Sequence, residues 1–138
     1  MDSDPQVTLQ IDTTARPVQL SIISFTRALL QGMDDIVREM RNHGGDGPIP
    51  TMGYILVADD VAIDLYTDVA SGDHFTRSVA ETVLRGTWEL LALYGFSSVV
   101  MEIFLGSQAA LIRIGDIVVG RTQSNRTVAA AVRAATDT

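Results

Sequence analysis

The sequence predicts an α+β domain of two layers, a central five-stranded antiparallel sheet flanked by helices in the order α-β-β-α-β-β-β-α. Three observations predict it. Apolar residues recur at three- and four-residue spacing over residues 25–40 and again over 75–93, the mark of amphipathic helices. Between them, two short apolar runs stand on either side of Asp59-Asp60. After Gly95 come three strand-like stretches, separated by the turn-prone pairs Gly106-Ser107 and Gly115-Asp116.

In chain order, residues 7–23 read two ways. Val7, Leu9 and Ile11 alternate with polar residues, as do Val18, Leu20 and Ile22, so a hairpin through Thr13 to Arg16 fits. Pro17 at the first position of a helix fits equally. These residues form an N-terminal extension, 1–23, before a single domain, 24–138. Ser24 can cap the first helix, and Phe25, Leu29, Met33, Ile36, Val37 and Met40 make its apolar stripe. His43-Gly44-Gly45 ends it. Tyr54 to Ala58 is an uninterrupted apolar run suited to a central strand, and Asp59-Asp60 is a turn. Val61, Ile63 and Leu65 alternate with Ala62, Asp64 and Tyr66, which predicts one buried and one more polar face. The second helix spans about 74–94, with Asp73 or Ser71 as cap and Gly95 as stop. Its apolar residues cover more than one stripe, enough for the sheet and for a second chain. The strands that follow are Ser98 to Leu105, Gln108 to Ile114 and Ile117 to Thr122, with an Ala-rich helix over Arg126 to Ala135.

Composition narrows the chemistry. The chain has 138 residues, 46% of them hydrophobic, enough for one cored domain. With no cysteine, disulfides, thiolate nucleophiles and cysteine metal sites are excluded. The formal net charge of -7 argues against binding nucleic acid. All ten basic residues are Arg and thirteen of the seventeen acids are Asp, a usage that fits a high-salt interior or a GC-rich genome. Apolar stretches break off before the roughly 18 residues of a membrane span, so no membrane insertion is expected. The acidic start, Met1-Asp2-Ser3-Asp4-Pro5, lacks the positive region of a signal peptide and predicts a cytoplasmic protein.

No catalytic constellation emerges, and neither an enzyme activity nor a cofactor is expected. The two histidines, His43 and His74, stand in no triad context, and no serine sits in a nucleophile elbow. Asp59-Asp60 and Asp73-His74 read as a turn and a cap, because neighbours on a strand point to opposite faces and rarely share an ion. Gly44-Gly45-Asp46-Gly47 follows a helix and lacks the Lys of a phosphate loop. Glu102 interrupts an apolar strand and can pair with Arg113 across a hairpin. Arg113 and Arg121, on neighbouring predicted strands, make either a local basic strip or two solvated edge charges. Trp88, the sole tryptophan, is either core or an interface anchor, so Trp88, Arg113 and Arg121 are the candidate partner contacts.

The order of elements from Ser24 onward resembles the Roadblock/dynein light chain family, over about residues 24–136. Tyr54 to Asp68 is similar to its first hairpin, His74 to Gly95 to its central helix, Ser98 to Asn125 to its closing meander and Arg126 to Ala135 to its terminal helix. Asp59-Asp60 stands where that hairpin usually has glycine. The resemblance implies a non-enzymatic homodimeric adaptor that docks a small Ras-like GTPase or a signalling complex. By position it implies a dimer seam at Val79, Val83, Leu90, Val99, Met101 and Ile103. The same mixed order also suits a sensory or small-molecule-binding module of the profilin or PAS kind, with a pocket near Tyr54, Tyr66 or Phe104.

Overall fold

The computed structural model describes residues 6–12, 17–50, 53–68, 74–107 and 110–122. Their order is β1 (Val7–Asp12), α1 (Ile22–Asn42), β2 (Tyr54–Ala58), β3 (Val61–Thr67), α2 (Arg77–Tyr94), β4 (Val99–Ser107) and β5 (Ala110–Arg121). The five strands form one antiparallel sheet in the order β1-β4-β5-β3-β2, and the fold is α+β as the sequence predicts. The expected terminal helix over 126–135, the expected turn through 13–16 and the expected cap at Ser71 or Asp73 lie outside the described residues.

Both helices pack on one face, α1 over β2 and β3 and α2 towards β1. Between helices and sheet lies the core, with Phe25, Ile36, Ile63, Leu65, Phe75, Leu84, Met101, Ile103 and Ile117 among its fully buried side chains. Burying a side chain of that size stabilises by about 1.5–3 kcal/mol, so this layer carries the fold. Glycine at Gly32 lets α1 lie close on β2, since an added Cβ would push the Leu56 side chain aside. The alternating residues Ala62, Asp64, Val100, Asp116 and Val118 are buried too, so β3 and β5 are closed on both faces rather than having a polar side.

α1 begins earlier and α2 later than the sequence pattern indicates, and both are capped by other residues. Ser21 caps α1 by accepting the Ser24 N–H, while Ser24 is buried and donates its hydroxyl to Asp59 Oδ2 at 2.8 Å. Thr76 caps α2, which starts at Arg77 rather than at residue 74. Asp46, reaching in from the loop after α1, accepts the Ser78 N–H at 3.0 Å and so satisfies another free donor of the first turn. Gly95 ends α2 with a positive φ, and Gly45 closes α1 by donating to Met40 O.

Three strand readings are corrected. The N-terminal residues make no hairpin with each other, since β1 pairs with β4 from Val7↔Leu105 to Asp12↔Val100. Tyr54 to Ala58 is an edge strand rather than a central one. Gln108–Ile114 and Ile117–Thr122 are not two strands, because β5 runs unbroken through Gly115-Asp116. Gly115 is there for space, as its Cβ would meet the Tyr66 carbonyl and the Phe75 ring. Just before it the register slips between Ile103 and Phe104, leaving Ile114 as an extra residue, a β-bulge.

Candidate functional site

The outer surface of the helix pair carries an apolar stripe among its charged residues. Along α1, Ile23, Leu30 and Val37 recur every seven residues and are exposed, with half-buried Thr26, Met33 and Met40 between them. Phe25, Ala28, Leu29, Gly32 and Ile36 face the core. The single stripe expected from the sequence is thus two stripes, one buried and one open. From Ile23 to Val37 the open stripe is about 21 Å long at 1.5 Å per residue.

Beside it runs a groove of about 340 Å³ between Leu29, Leu30 and Met33 of α1 and Arg85, Trp88 and Glu89 of α2. Leu30 is 59% exposed and Trp88 39%. Trp88 is not loose. Its ring packs edge-on against Phe96 at 6.2 Å, and Phe96 packs edge-on against the buried Phe25 at 5.6 Å. This chain of rings holds the indole in place while leaving part of it open to a partner. The rim carries both signs, with ion pairs Arg85–Glu81 on α2 and Arg38–Asp34 on α1.

A second cluster sits on the sheet face away from the helices. Arg113 Nη2 donates to both oxygens of Asp116 at 2.7 and 2.8 Å, Nη1 donates to Asp68 Oδ2 at 3.4 Å, and Nε lies 3.6 Å from Glu102 Oε2. The expected Glu102–Arg113 pair is therefore present as one contact of four-membered knot. Three residues apart on a regular strand, Arg113 and Asp116 would point to opposite faces. The bulge at Ile114 turns Arg113 back to the Asp116 side. Burial pushes the Asp116 carboxyl above the usual range, against the opposing pull of Arg113. On β3, beside β5, Tyr66 donates its hydroxyl to Asp64 of the same strand. Among the described residues no group of His, Cys, Asp or Glu is arranged to hold a metal ion. The knot ties β3, β4 and β5 together.

A third polar group is a strut. Tyr54 on β2 and Arg77 on α2 both donate to Glu39 Oε2 on α1, and burial, then Glu39, raise the Tyr54 hydroxyl. A pocket of about 280 Å³ lies at the end of α2, lined by Ile11, Pro17, Leu90, Tyr94, Ser98 and Val99 among others. Neither cavity is lined by Tyr54, Tyr66 or Phe104.

The residues singled out from the sequence are dispersed. Val79, Val83, Met101 and Ile103 are buried in the core of their own chain, and Leu90 and Val99 pack partly buried against it. A surface for another chain cannot be made of the first four. Arg113 and Arg121 share strand β5 instead of neighbouring strands. Arg121 is exposed at the strand end, and Arg113 is surrounded by carboxylates, so no basic strip forms. Of the three candidate partner contacts, Trp88 and the isolated Arg121 stand where a partner can reach them, and only Trp88 lies beside a groove. The residues missed were Ile23 and Leu30, whose seven-residue spacing with Val37 was the available signal. Among the described residues, no helix is long and apolar enough to cross a membrane. Set against known proteins, the chain matches no family model, no curated protein and no solved structure.

Proposed function

We propose that the chain is a non-enzymatic adaptor that works as a homodimer and docks a helix of another protein on the outer face of α1 and α2. The observation that carries this reading is the open stripe Ile23-Leu30-Val37 beside the braced Trp88. Its repeat, alternating three and four residues through Thr26, Met33 and Met40, is the one a facing helix reads as knobs into holes. A partly buried, rigid Trp at the centre of such a groove suits a binding hot spot. The mixed charges on the rim set orientation more than affinity.

Trp88 is also the reporter, since it is the only tryptophan in the chain. The first probes are small Ras-like GTPases, the partner class implied by the Roadblock resemblance, in GDP- and GTP-bound forms with a tryptophan-free variant of each. Saturable blue-shifted Trp88 emission, lost in a folded Leu30→Glu variant, is the expected result. Binding that leaves Trp88 emission unchanged, or that survives Leu30→Glu, overturns the assignment of this face. The pocket at the end of α2 supports the second reading, a small-molecule-binding module. That reading is tested by a ligand screen for thermal stabilisation that Tyr94→Ala removes.

A further inference from the structure

We propose that two copies of this chain join through β2, paired antiparallel about a two-fold axis at Leu56, so that two five-stranded sheets become one sheet of ten strands. The inference rests on the dimeric half of the reading above and supplies its seam.

β2 is the last strand in the order β1-β4-β5-β3-β2. One side of it pairs with β3 from Tyr54↔Leu65 to Ala58↔Val61, and among the described residues nothing pairs with the other. Natural edge strands are guarded by charges, prolines or bulges, because an open edge is a template for another strand. β2 has none of these. It reads Tyr54-Ile55-Leu56-Val57-Ala58, and Ile55 and Val57 are 69% and 46% exposed. The other edge, β1, alternates apolar residues with Thr8, Gln10 and Asp12, and it also closes the free side of β4. A seam on the strand following the second helix is thereby blocked, and of the two edges β2 is the one with no charge or polar alternation to guard it.

The sequence of β2 is complementary to itself. A two-fold axis perpendicular to the sheet keeps each face with its like, so residues of the same parity must oppose one another. Among such axes, the one at Leu56 pairs all five residues. It sets Leu56 against Leu56, Tyr54 against Ala58, and the exposed Ile55 of each copy against the exposed Val57 of the other. Two β-branched pairs are formed on the open face, the kind of cross-strand contact that sheets favour. Both α1 helices then lie on the same face, either side of the seam.

Charge is the argument against any self-association of a chain at -7, and this seam answers it. No residue of β2 is charged. Asp59, in the adjoining turn, faces Gly53 of the second copy and stands roughly 20 Å from its own equivalent, at about 3.4 Å per residue. That is beyond the Debye length of about 8 Å at physiological salt. The residual repulsion between two acidic bodies weakens as salt rises while the apolar contact strengthens, so the dimer is tighter in high salt.

The absence of cysteine makes the register directly testable. Ile55→Cys and Val57→Cys chains are prepared separately, then oxidised mildly alone and as an equimolar mixture. Directly opposed residues reach the ~3.8 Å Cβ separation of a disulfide, whereas 55 against 55 and 57 against 57 are diagonal pairs roughly 7–8 Å apart. The expected result is a covalent dimer in the mixture and little in either chain alone. Light scattering on the native chain at high micromolar concentration is expected to give a dimer, and Ile55→Lys a folded monomer. A native monomer overturns both the seam and the homodimer reading. A native dimer whose mixture does not cross-link, or that survives Ile55→Lys, overturns the seam and leaves the dimer to another face.

Discussion

Leu29 and Leu30 are neighbours on α1 with opposite surroundings, and replacing each by alanine measures whether the outer stripe is free. Leu29 is 3% exposed and belongs to the core, whereas Leu30 is 59% exposed. Helix propensity changes equally at the two positions, so the difference between the variants isolates burial. Leu29→Ala loses the transfer energy of its side chain and leaves a cavity, costing about 3 kcal/mol within the usual span of ~2–5. Leu30 is 59% exposed and buries less than half its surface, so Leu30→Ala costs at most about 1 kcal/mol. For a domain of this size one kcal/mol moves the midpoint by roughly 4 °C, which places the two variants about 12 °C and no more than about 4 °C below the native chain. Thermal unfolding followed by circular dichroism at 222 nm reads both. Two variants melting within about 2 °C of each other refute the reasoning, because Leu30 would then be as enclosed as Leu29 and the docking face would not exist.

Gly115→Ala places a Cβ against the Tyr66 carbonyl and 2.9 Å from the Phe75 ring, so β5 must shift. The expected cost is about 3 kcal/mol in urea denaturation, and an unchanged midpoint would show that β5 is not packed this closely. Arg113→Met removes the two hydrogen bonds that hold the buried Asp116 carboxylate, at about 3 kcal/mol near neutral pH. The folded-state pKa of Asp116 is raised above 3.8, so its protonated form is favoured in the folded chain. That contribution is full below the unfolded value and is lost as pH rises through the folded one. The penalty of Arg113→Met therefore shrinks as pH falls towards 4, and an equal penalty in urea melts at pH 7 and pH 4.5 would contradict the placement of Asp116.

Local signals in this chain were readable without coordinates. The hairpin of β2 and β3 lies on either side of Asp59-Asp60, and Asp59 takes the positive φ that Asp tolerates in turns. The span of α1 followed from its spacing and from the glycines after His43. Signals that depend on a distant partner misled. Gly115-Asp116 has turn composition, yet its glycine answers to Phe75 and Tyr66, which no local window of sequence contains, and its aspartate meets Arg113 only because a bulge against β4 turns that side chain over. The edge position of β2 was hidden for the same reason, since an apolar run of five residues suits a strand buried on two sides equally well.

By itself the sequence determined the two amphipathic helices, the β2–β3 hairpin, the α+β class and a chemistry without cysteine or lysine, because periodicity, turn residues and composition act within a few positions of the chain. Tertiary structure decided the rest. It brought Val7 to Leu105 and made the N-terminal strand one edge, left Ile55 and Val57 open on the other, and used a one-residue bulge to swing Arg113 onto Asp116. It also divided α1 between a buried stripe and an exposed one. Which side of an amphipathic element meets the core depends on what the rest of the chain has already covered, and that is a property of the assembled layers.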